Sequence, residues 1–303
     1  MKTQSFDQIL KRVKGELNKT IAVAMAEEEE VLAAVSMAYR ERLADAVLVG
    51  DEKTIRNISA EHDIDISAFD IVQADSEQQA VVRAVQLVRG HLADVLMKGK
   101  CSTATLLKAV LDKQHGLRSG NLLCHLAAFQ VDAYHKLLFM SDAAMNIRPD
   151  LLTKVSIVEN TIRATQALGM EKPKIALLAA IEKVNPGAMV CTEDAAVICK
   201  MQERGQIKGA IIDGPLAMDN AISHKSCEVK GIATTVGGDA DILIMPDIES
   251  ANIFYKTMAY LGCAKTAGII IGAKVPIILT SRADSDETKF YSLALGMATS
   301  QRR

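Results

Sequence analysis

The 303-residue chain contains no tryptophan, and aromatic residues make up only 4% of it. Stacking platforms for nucleobases are therefore scarce, and a core has to be filled with aliphatic side chains. Neither sign of charge is in excess: 35 lysines and arginines stand against 37 acids, for a formal net charge of −2. With no polybasic footprint, nucleic acid and anionic membrane surfaces are poor partners, and an anionic ligand must be held by local donors. The six cysteines, Cys101, Cys124, Cys191, Cys199, Cys227 and Cys263, form no C-x-x-C pair, and the six histidines complete no metal-ligand spacing with them. Reduced thiols in a cytoplasmic protein, with no bound metal, are the expectation. The longest nearly apolar run, Ala267 to Thr280, is too short for a membrane span and is broken by Lys274 and Pro276. The first residues, MKTQSFDQILKRVKGEL, pattern as an amphipathic helix and lack the apolar centre of a signal peptide. Nucleotide and hydrolase signatures are missing as well. There is no G-x-G-x-x-G and no G-x-S-x-G, and GAIIDGP (209–215) leads into Pro215 and Leu216 where a P-loop needs Lys and Ser or Thr.

What is present is a regular alternation. Apolar strand-like runs (TIAVAMA at 20–26, DAVLVGD at 45–51, FDIVQ at 69–73, DVLMKG at 94–99) alternate with helical patterns. The rhythm resumes with KLLFMSD (136–142), KIALLAA (174–180), GAIIDG (209–214), ADILIMPD (240–247) and PIILT (276–280). This predicts an α/β fold with mainly parallel sheets and flanking helices. The change of texture after CHLAAFQVDAYHK (124–136) is the best candidate for a crossing between two domains.

Ligands of such sheets bind beyond the carboxyl ends of the strands, so the residues just after each apolar run carry the functional information. They are Lys98, Gly99 and Lys100 before Ser102 and Thr103; Ser141 and Asp142; Glu182; Asp213, Gly214 and Pro215; Pro246 and Asp247; and Ser281 and Arg282. Each has an ordinary structural explanation taken alone, as a turn, a cap or a solvated surface charge. Together they place small residues, hydroxyls and cations at one pole of the inferred sheet, which suits an anion. Ser102 precedes the helical pattern TATLLKAVL, and Asp284 with Glu287 three residues on has the spacing of a capping box. Free N–H groups at a helix start bind phosphate oxygens.

Three segments resemble one family. They are MKGKCSTATLLKAVLDKQHGLRSG (97–120), SDAAMNIRPD (141–150), and the stretch from DGPLAMDNAISHKS at Asp213 to VPIILTSRADSDETKFYSLALG at Gly296. The resemblance is to the phosphate acetyl/butyryltransferase family. It runs over nearly the whole chain, and its KG…TAT, GPLA.D.A.S and TSRADS..TK forms look closest to the butyryl branch. It implies two α/β domains similar to those of isocitrate and isopropylmalate dehydrogenases. Residues 1–133 with 274–303 would form the first and 134–273 the second, with the active-site cleft between them. It implies the reaction acyl-CoA + phosphate = acyl phosphate + CoA, with CoA and phosphate as substrates and no bound cofactor, and a homodimer or larger assembly. Ser281 and Arg282 match the family's Ser-Arg pair in the active site, and Ser102 and Thr103 a hydroxyl pair in the same cleft. Arg118 falls on a basic position of GLRSG, and Asp213–Pro215 and Pro246-Asp247 on cleft-lining turns. Lys98, Gly99 and Asp142 complete the expected phosphate and CoA site. The acetyl branch has an acid seven residues after the serine, where this chain has Thr288; that role falls to Asp286 or Glu287, unless the butyryl branch does without it.

The nearest alternatives are the same chemistry on acetyl-, propionyl- or branched-chain acyl-CoA. More distant ones are a CoA-binding protein without turnover, and an NAD-dependent decarboxylating dehydrogenase of the same fold, which needs carboxylates clustered around a divalent cation.

Overall fold

The computed structural model describes residues 5–14, 19–280 and 284–300. In chain order its first elements are α1 (Phe6–Val13), β1 (Thr20–Ala24), α2 (Glu29–Arg40), β2 (Asp45–Gly50), α3 (Glu52–Glu61), β3 (Asp70–Gln73), α4 (Glu77–Arg89), β4 (Val95–Lys98) and α5 (Thr103–Val110). Next come β5 (Cys124–Gln130), β6 (Leu138–Ser141), α6 (Leu151–Ala167), β7 (Lys174–Leu178), α7 (Val190–Glu203), β8 (Ile211–Leu216), α8 (Met218–Ile222), α9 (His224–Lys230), β9 (Ile242–Ile244) and α10 (Ile248–Tyr260). The chain closes with β10 (Lys265–Ile271), β11 (Ile277–Ile278) and α11 (Asp286–Thr299).

Two compact units result. One is built from Phe6–Asn121 and Ala267–Arg303, the other from Leu122–Thr266. The expected divisions after 133 and 273 therefore move to 121 and 266. Strand pairing is the reason. Cys124–Gln130 is a buried strand that pairs antiparallel with β6, Ala127 opposite Met140, and so belongs with the second unit. Ile270 of β10 pairs with Ile277 of β11, which returns that strand to the first.

In the first unit the strands run in the order β3-β2-β1-β4-β11-β10. All neighbours are parallel except β10 and β11. Helices cover both faces, which is why TIAVA and VLMK read as almost unbroken apolar runs. The layer of α4 and α5 packs on one face, and α11 packs with α1 and α2 on the other. α4 shows how sequence makes such an element. Ser76 caps it by accepting the N–H of Gln79, and Ala80, Val81, Ala84, Val85 and Val88 form one buried stripe before Gly90 ends it. α11 is buried along most of its length. Phe6 of α1 stacks on its Tyr291 with ring centroids 4.4 Å apart, and the buried Lys19 ammonium donates to the Met297 and Ser300 carbonyls at its end.

In the second unit the order is β5-β6-β9-β7-β8, parallel except for β5. The amino ends of its parallel strands are bound together by charge. Lys136 reaches Asp239 and Asp241 at 2.8 and 2.6 Å, Lys174 reaches Asp239 at 2.8 Å, and His135 reaches it at 2.9 Å. The Asp241 carboxylate also accepts the Lys174 backbone N–H.

Burial pushes the Asp239 carboxyl up, but hydrogen bonds from Lys136, Lys174 and His135 outweigh it and hold the group well below its ordinary 3.8. A carboxyl whose folded pKa lies below its unfolded one supplies stability above the unfolded value, and that stability is lost as pH falls through the folded value. Asp239→Ala is expected to cost on the order of 3 kcal/mol at pH 7 by leaving the buried Lys136 short of a partner. The gap to wild type should hold down to about pH 4 and narrow only as the pH falls further toward the folded value, which chemical denaturation in a series from pH 7 to the acid limit of folding would read.

Candidate active site

Strand order 3-2-1-4 puts the helices after β1 and β4 in different layers, so a crevice opens at the carboxyl ends of those two strands. Just past β1, Met25 has φ 61°, and the turn is locked by two hydrogen bonds. Gly99 N–H donates to the Ala24 carbonyl at 2.9 Å and Lys100 N–H to the Met25 carbonyl at 2.7 Å. The approach is so close that a Cβ on Gly99 would lie 2.0 Å from the Met25 oxygen.

Lys98, the last residue of β4, is buried. Its ammonium donates to the Gly99 carbonyl at 2.9 Å and the Cys101 carbonyl at 3.3 Å, and among the described residues no carboxylate forms an ion pair with it. Four residues on, Ser102 caps α5 by accepting the Thr105 N–H at 3.0 Å. The Ser102 N–H donates to Glu77 Oε1 at 3.0 Å. The Thr105 hydroxyl and this N–H hold the Glu77 carboxyl below the usual range. With these groups engaged, the N–H groups of Thr103 and Ala104 have no partner among the described residues and stand at an exposed helix start.

β11 runs parallel to β4, with Ile277 opposite Leu96 and Ile278 opposite Met97, so Thr280 emerges at the same end as Lys98. Ser281 and Arg282, which follow it, lie outside the described residues. Beyond them, α11 is capped by Ser285, which accepts the Thr288 N–H at 3.2 Å, and not by Asp284 as its sequence spacing implied. Asp284 serves through its carbonyl, which takes the buried Lys289 ammonium at 2.6 Å. Asp286 and Glu287 are exposed in the first turn, where negative charge complements the helix dipole, and Tyr291 OH donates to Glu287 at 3.1 Å.

Arg118 does not join this group. It bridges Ala273, ahead of β11, and the neighbouring Ser119 hydroxyl is bonded to the Gly272 carbonyl. Both contacts lie at the opposite end of the sheet from Lys98, because α5 has carried the chain back along β4.

The second unit's candidates take different parts. Asp142 is buried and saturated. Its carboxylate accepts the N–H groups of His125, Ala144, Met145 and Asn146 at 3.0 to 3.1 Å and the Asn146 side-chain amide, so it organises a loop and offers nothing to an anion. Asp213 accepts the N–H of Gly214 at 2.8 Å, and strand β8 continues through Pro215 to Leu216. A Cβ on Gly214 would meet Leu177 at 2.7 Å, so this glycine is there for close packing on β7. Asp247 caps α10. Glu182 pairs with Lys230 at 2.6 Å. Pro246 helps line a small pocket at the carboxyl ends of β7 and β9, together with Lys154, Cys191 and apolar neighbours.

Three residues escaped the sequence reading: Glu77, Lys154 and Glu27. Glu27 is buried beside Gly50, with Oε1 accepting the Asp51 N–H at 2.7 Å and Oε2 without a hydrogen-bond partner among the described residues. Only the AEEEE run hinted at it, and four adjacent acids do not say which one turns inward. Among the described residues, no group of three or more His, Cys, Asp or Glu side chains is placed to hold a metal ion. All six cysteines are free. Burial pushes the thiols of Cys101 up to about 11 and of Cys124 and Cys199 up to about 12, so these sulfurs stay protonated and weakly nucleophilic at neutral pH.

An α/β protein with a buried cation beside an open helix start is equipped to take an anionic ligand at its strand ends. A family model described as phosphate acetyl/butaryl transferase matches residues 5–80 and 74–297. The phosphate butyryltransferase of Clostridium acetobutylicum is 44% identical over 292 residues, 96% of this chain and 97% of its own. The phosphate acetyltransferase of Thermotoga maritima is 43% identical over 289 residues, 95% of this chain and 97% of its own. Among solved structures, a branched-chain phosphotransacylase from Enterococcus faecalis V583 matches with a TM-score of 0.83 and 34% identity, covering 94% of this chain and 100% of that one. The chain belongs to the phosphate acetyl/butaryl transferase family. No helix among the described residues is long and apolar enough to cross a membrane.

The β1–β4 junction generates a direct expectation. Gly99→Ala should cost about 1–3 kcal/mol, because backbone and not a flexible side chain blocks the methyl group. Lys100→Ala, at an exposed position one residue on, should leave the melting temperature unchanged. Equal melting temperatures for both variants would mean that the junction yields.

Proposed function

We propose that the protein moves a short-chain acyl group, butyryl foremost, between CoA and inorganic phosphate. The observation that carries this reading is Lys98. A buried ammonium held, among the described residues, only by carbonyls is incomplete without a counter-charge, and it precedes the helix start whose Thr103 and Ala104 N–H groups suit phosphate. The named relatives support the reaction class. One is a butyryltransferase, one an acetyltransferase and one a branched-chain phosphotransacylase, so the preference for butyryl rests on the sequence motifs.

In the forward direction a phosphate oxygen attacks the thioester carbonyl, the new C–O bond forms as the C–S bond breaks, and CoA leaves as thiolate. Charge gathers on the carbonyl oxygen in the tetrahedral transition state, where the Ser281 hydroxyl or the Arg282 guanidinium would donate to it. Arg282 can instead grip phosphate through two parallel N–H donors. In reverse the CoA thiol must lose a proton, and an acid of the α11 first turn, Asp286 or Glu287, is our candidate acceptor. The bond changes balance with thioester and phosphate alone, so the reading calls for no bound cofactor. We take the transfer to be direct, since a cysteine acyl-enzyme would need a thiolate that the raised Cys101, Cys124 and Cys199 thiols do not supply. We also infer a cytoplasmic enzyme and, from the family resemblance, a homodimer or larger assembly.

Thiol release from butyryl-CoA on adding phosphate, with acetyl-CoA run in parallel, tests the reading. Faster phosphate-dependent release from butyryl-CoA is expected. Arg282→Ala should lower the rate by about 10²–10³-fold with an unchanged melting curve. Wild-type activity in that variant removes the role of Arg282. CoA binding by calorimetry without release from either thioester would instead support a non-catalytic CoA-binding protein.

A further inference from the structure

Lys289 is a buried charge that the mechanism above leaves unused. It lies in the first turns of α11 and is 1% exposed. Its side chain runs back toward the helix start, where the ammonium donates to the Asp284 carbonyl at 2.6 Å. Among the described residues nothing else bonds to it, and no carboxylate pairs with it. The first unit repeats this arrangement on the neighbouring strand. Lys98, 7% exposed, is held by the Gly99 and Cys101 carbonyls alone. β4 and β11 are parallel neighbours with Ile278 opposite Met97, so both ammoniums stand past the carboxyl end of one strand pair. Each rests on carbonyls of the segment that follows its strand. The buried Glu27 carboxyl of the same pole lies over Gly50 at the end of β2, with β1 and β4 between it and β11.

A buried ammonium gives up its hydration, and one or two carbonyls do not replace a counter-charge. A methionine of similar length would fill the same space without that cost. Two such lysines at one strand-end pole suit a ligand with two negative charges, and the hydrogenphosphate dianion is one. We propose that Lys289 supplies the second positive charge of the phosphate site, complementing Lys98 and acting on the dianion through the protein interior without touching it. This rests on the acyltransferase reading above. Neighbouring strands lie only about 4.8 Å apart, and a fixed charge in a medium of low dielectric is felt over one or two such spacings.

The test uses the full chain and Lys289→Met, which keeps the side-chain length and removes the charge. The variant should melt at or above the wild-type temperature, since an uncompensated buried charge is gone. Its KM for phosphate should rise by about tenfold, its KM for butyryl-CoA should stay unchanged, and Lys289→Arg should restore the phosphate KM. With no thioester present, inorganic phosphate should raise the melting temperature of wild type more than that of Lys289→Met. An unchanged phosphate KM, with equal phosphate-induced shifts in the two proteins, overturns the proposal and leaves the transferase standing. So does a Lys289→Met chain that melts lower or fails to fold, which would make the ammonium a clip for the Asp284 carbonyl and no more. Absence of thiol release from every acyl-CoA tried, with the unequal phosphate-induced shifts intact, would remove the transferase and keep a doubly charged anion site.

Discussion

The first unit's site depends on two main-chain hydrogen bonds, Gly99 N–H to the Ala24 carbonyl and Lys100 N–H to the Met25 carbonyl. They hold the end of β4 against the end of β1 at a distance only glycine allows. Because β4 stops there, the chain turns at once, Ser102 falls at the start of α5, and the Lys98 side chain folds back onto the carbonyls of the turn. Because α4 and α5 lie in one layer and α2 in the other, the same junction faces an open crevice. Each feature that suits an anion follows from that close contact.

The two ends of the second unit's sheet are treated differently. At the amino ends, Asp239 and Asp241 are bound to Lys136 and Lys174, and the charges satisfy one another. At the carboxyl ends, the buried Lys154–Asp194 pair is likewise closed, but the aliphatic space next to it stays open. Ion pairs of this kind contribute more to specificity of packing than to net stability, since each partner gives up hydration. Here they hold α6 to α7 and tie the amino ends of β6, β7 and β9 to one another.

The sequence made the α/β alternation legible because both faces of each parallel strand are covered, so the runs are apolar and short, and most helices carry visible caps such as Ser76, Asp150 and Asp247. It hid β5, since Cys124–Gln130 contains a histidine and two alanines and reads as helix as easily as strand. It hid β10 inside a longer apolar tract, and with these two strands the unit boundaries. At the site, Lys98, Gly99 and Ser102 were readable from their place after a strand. Arg118, expected at the site from the family resemblance, has its backbone at the other end of the first unit's sheet from Lys98, because the eight residues of α5 return the chain along β4. Asp142 was recognisable as polar and strand-terminal, but the direction of its carboxylate, inward to four N–H groups, depends on the fold of the 142–146 loop.

The balance of charge around Lys98 bears on which step the site favours. Glu77 holds the Ser102 N–H, so a phosphate approaching the α5 start meets a carboxylate as well as the ammonium and two open N–H groups. A site with cations alone would bind phosphate tightly and equally in the ground and transition states, which lowers KM without raising the rate of the chemical step. With Glu77 offsetting part of the attraction, a phosphate bound there as proposed would be less firmly held and its oxygen less stabilised, which favours attack on a carbonyl. The Cys101, Cys124 and Cys199 thiols, kept protonated by their surroundings, do not supply a competing nucleophile. On the proposed reading, this arrangement suits transfer to phosphate in one step.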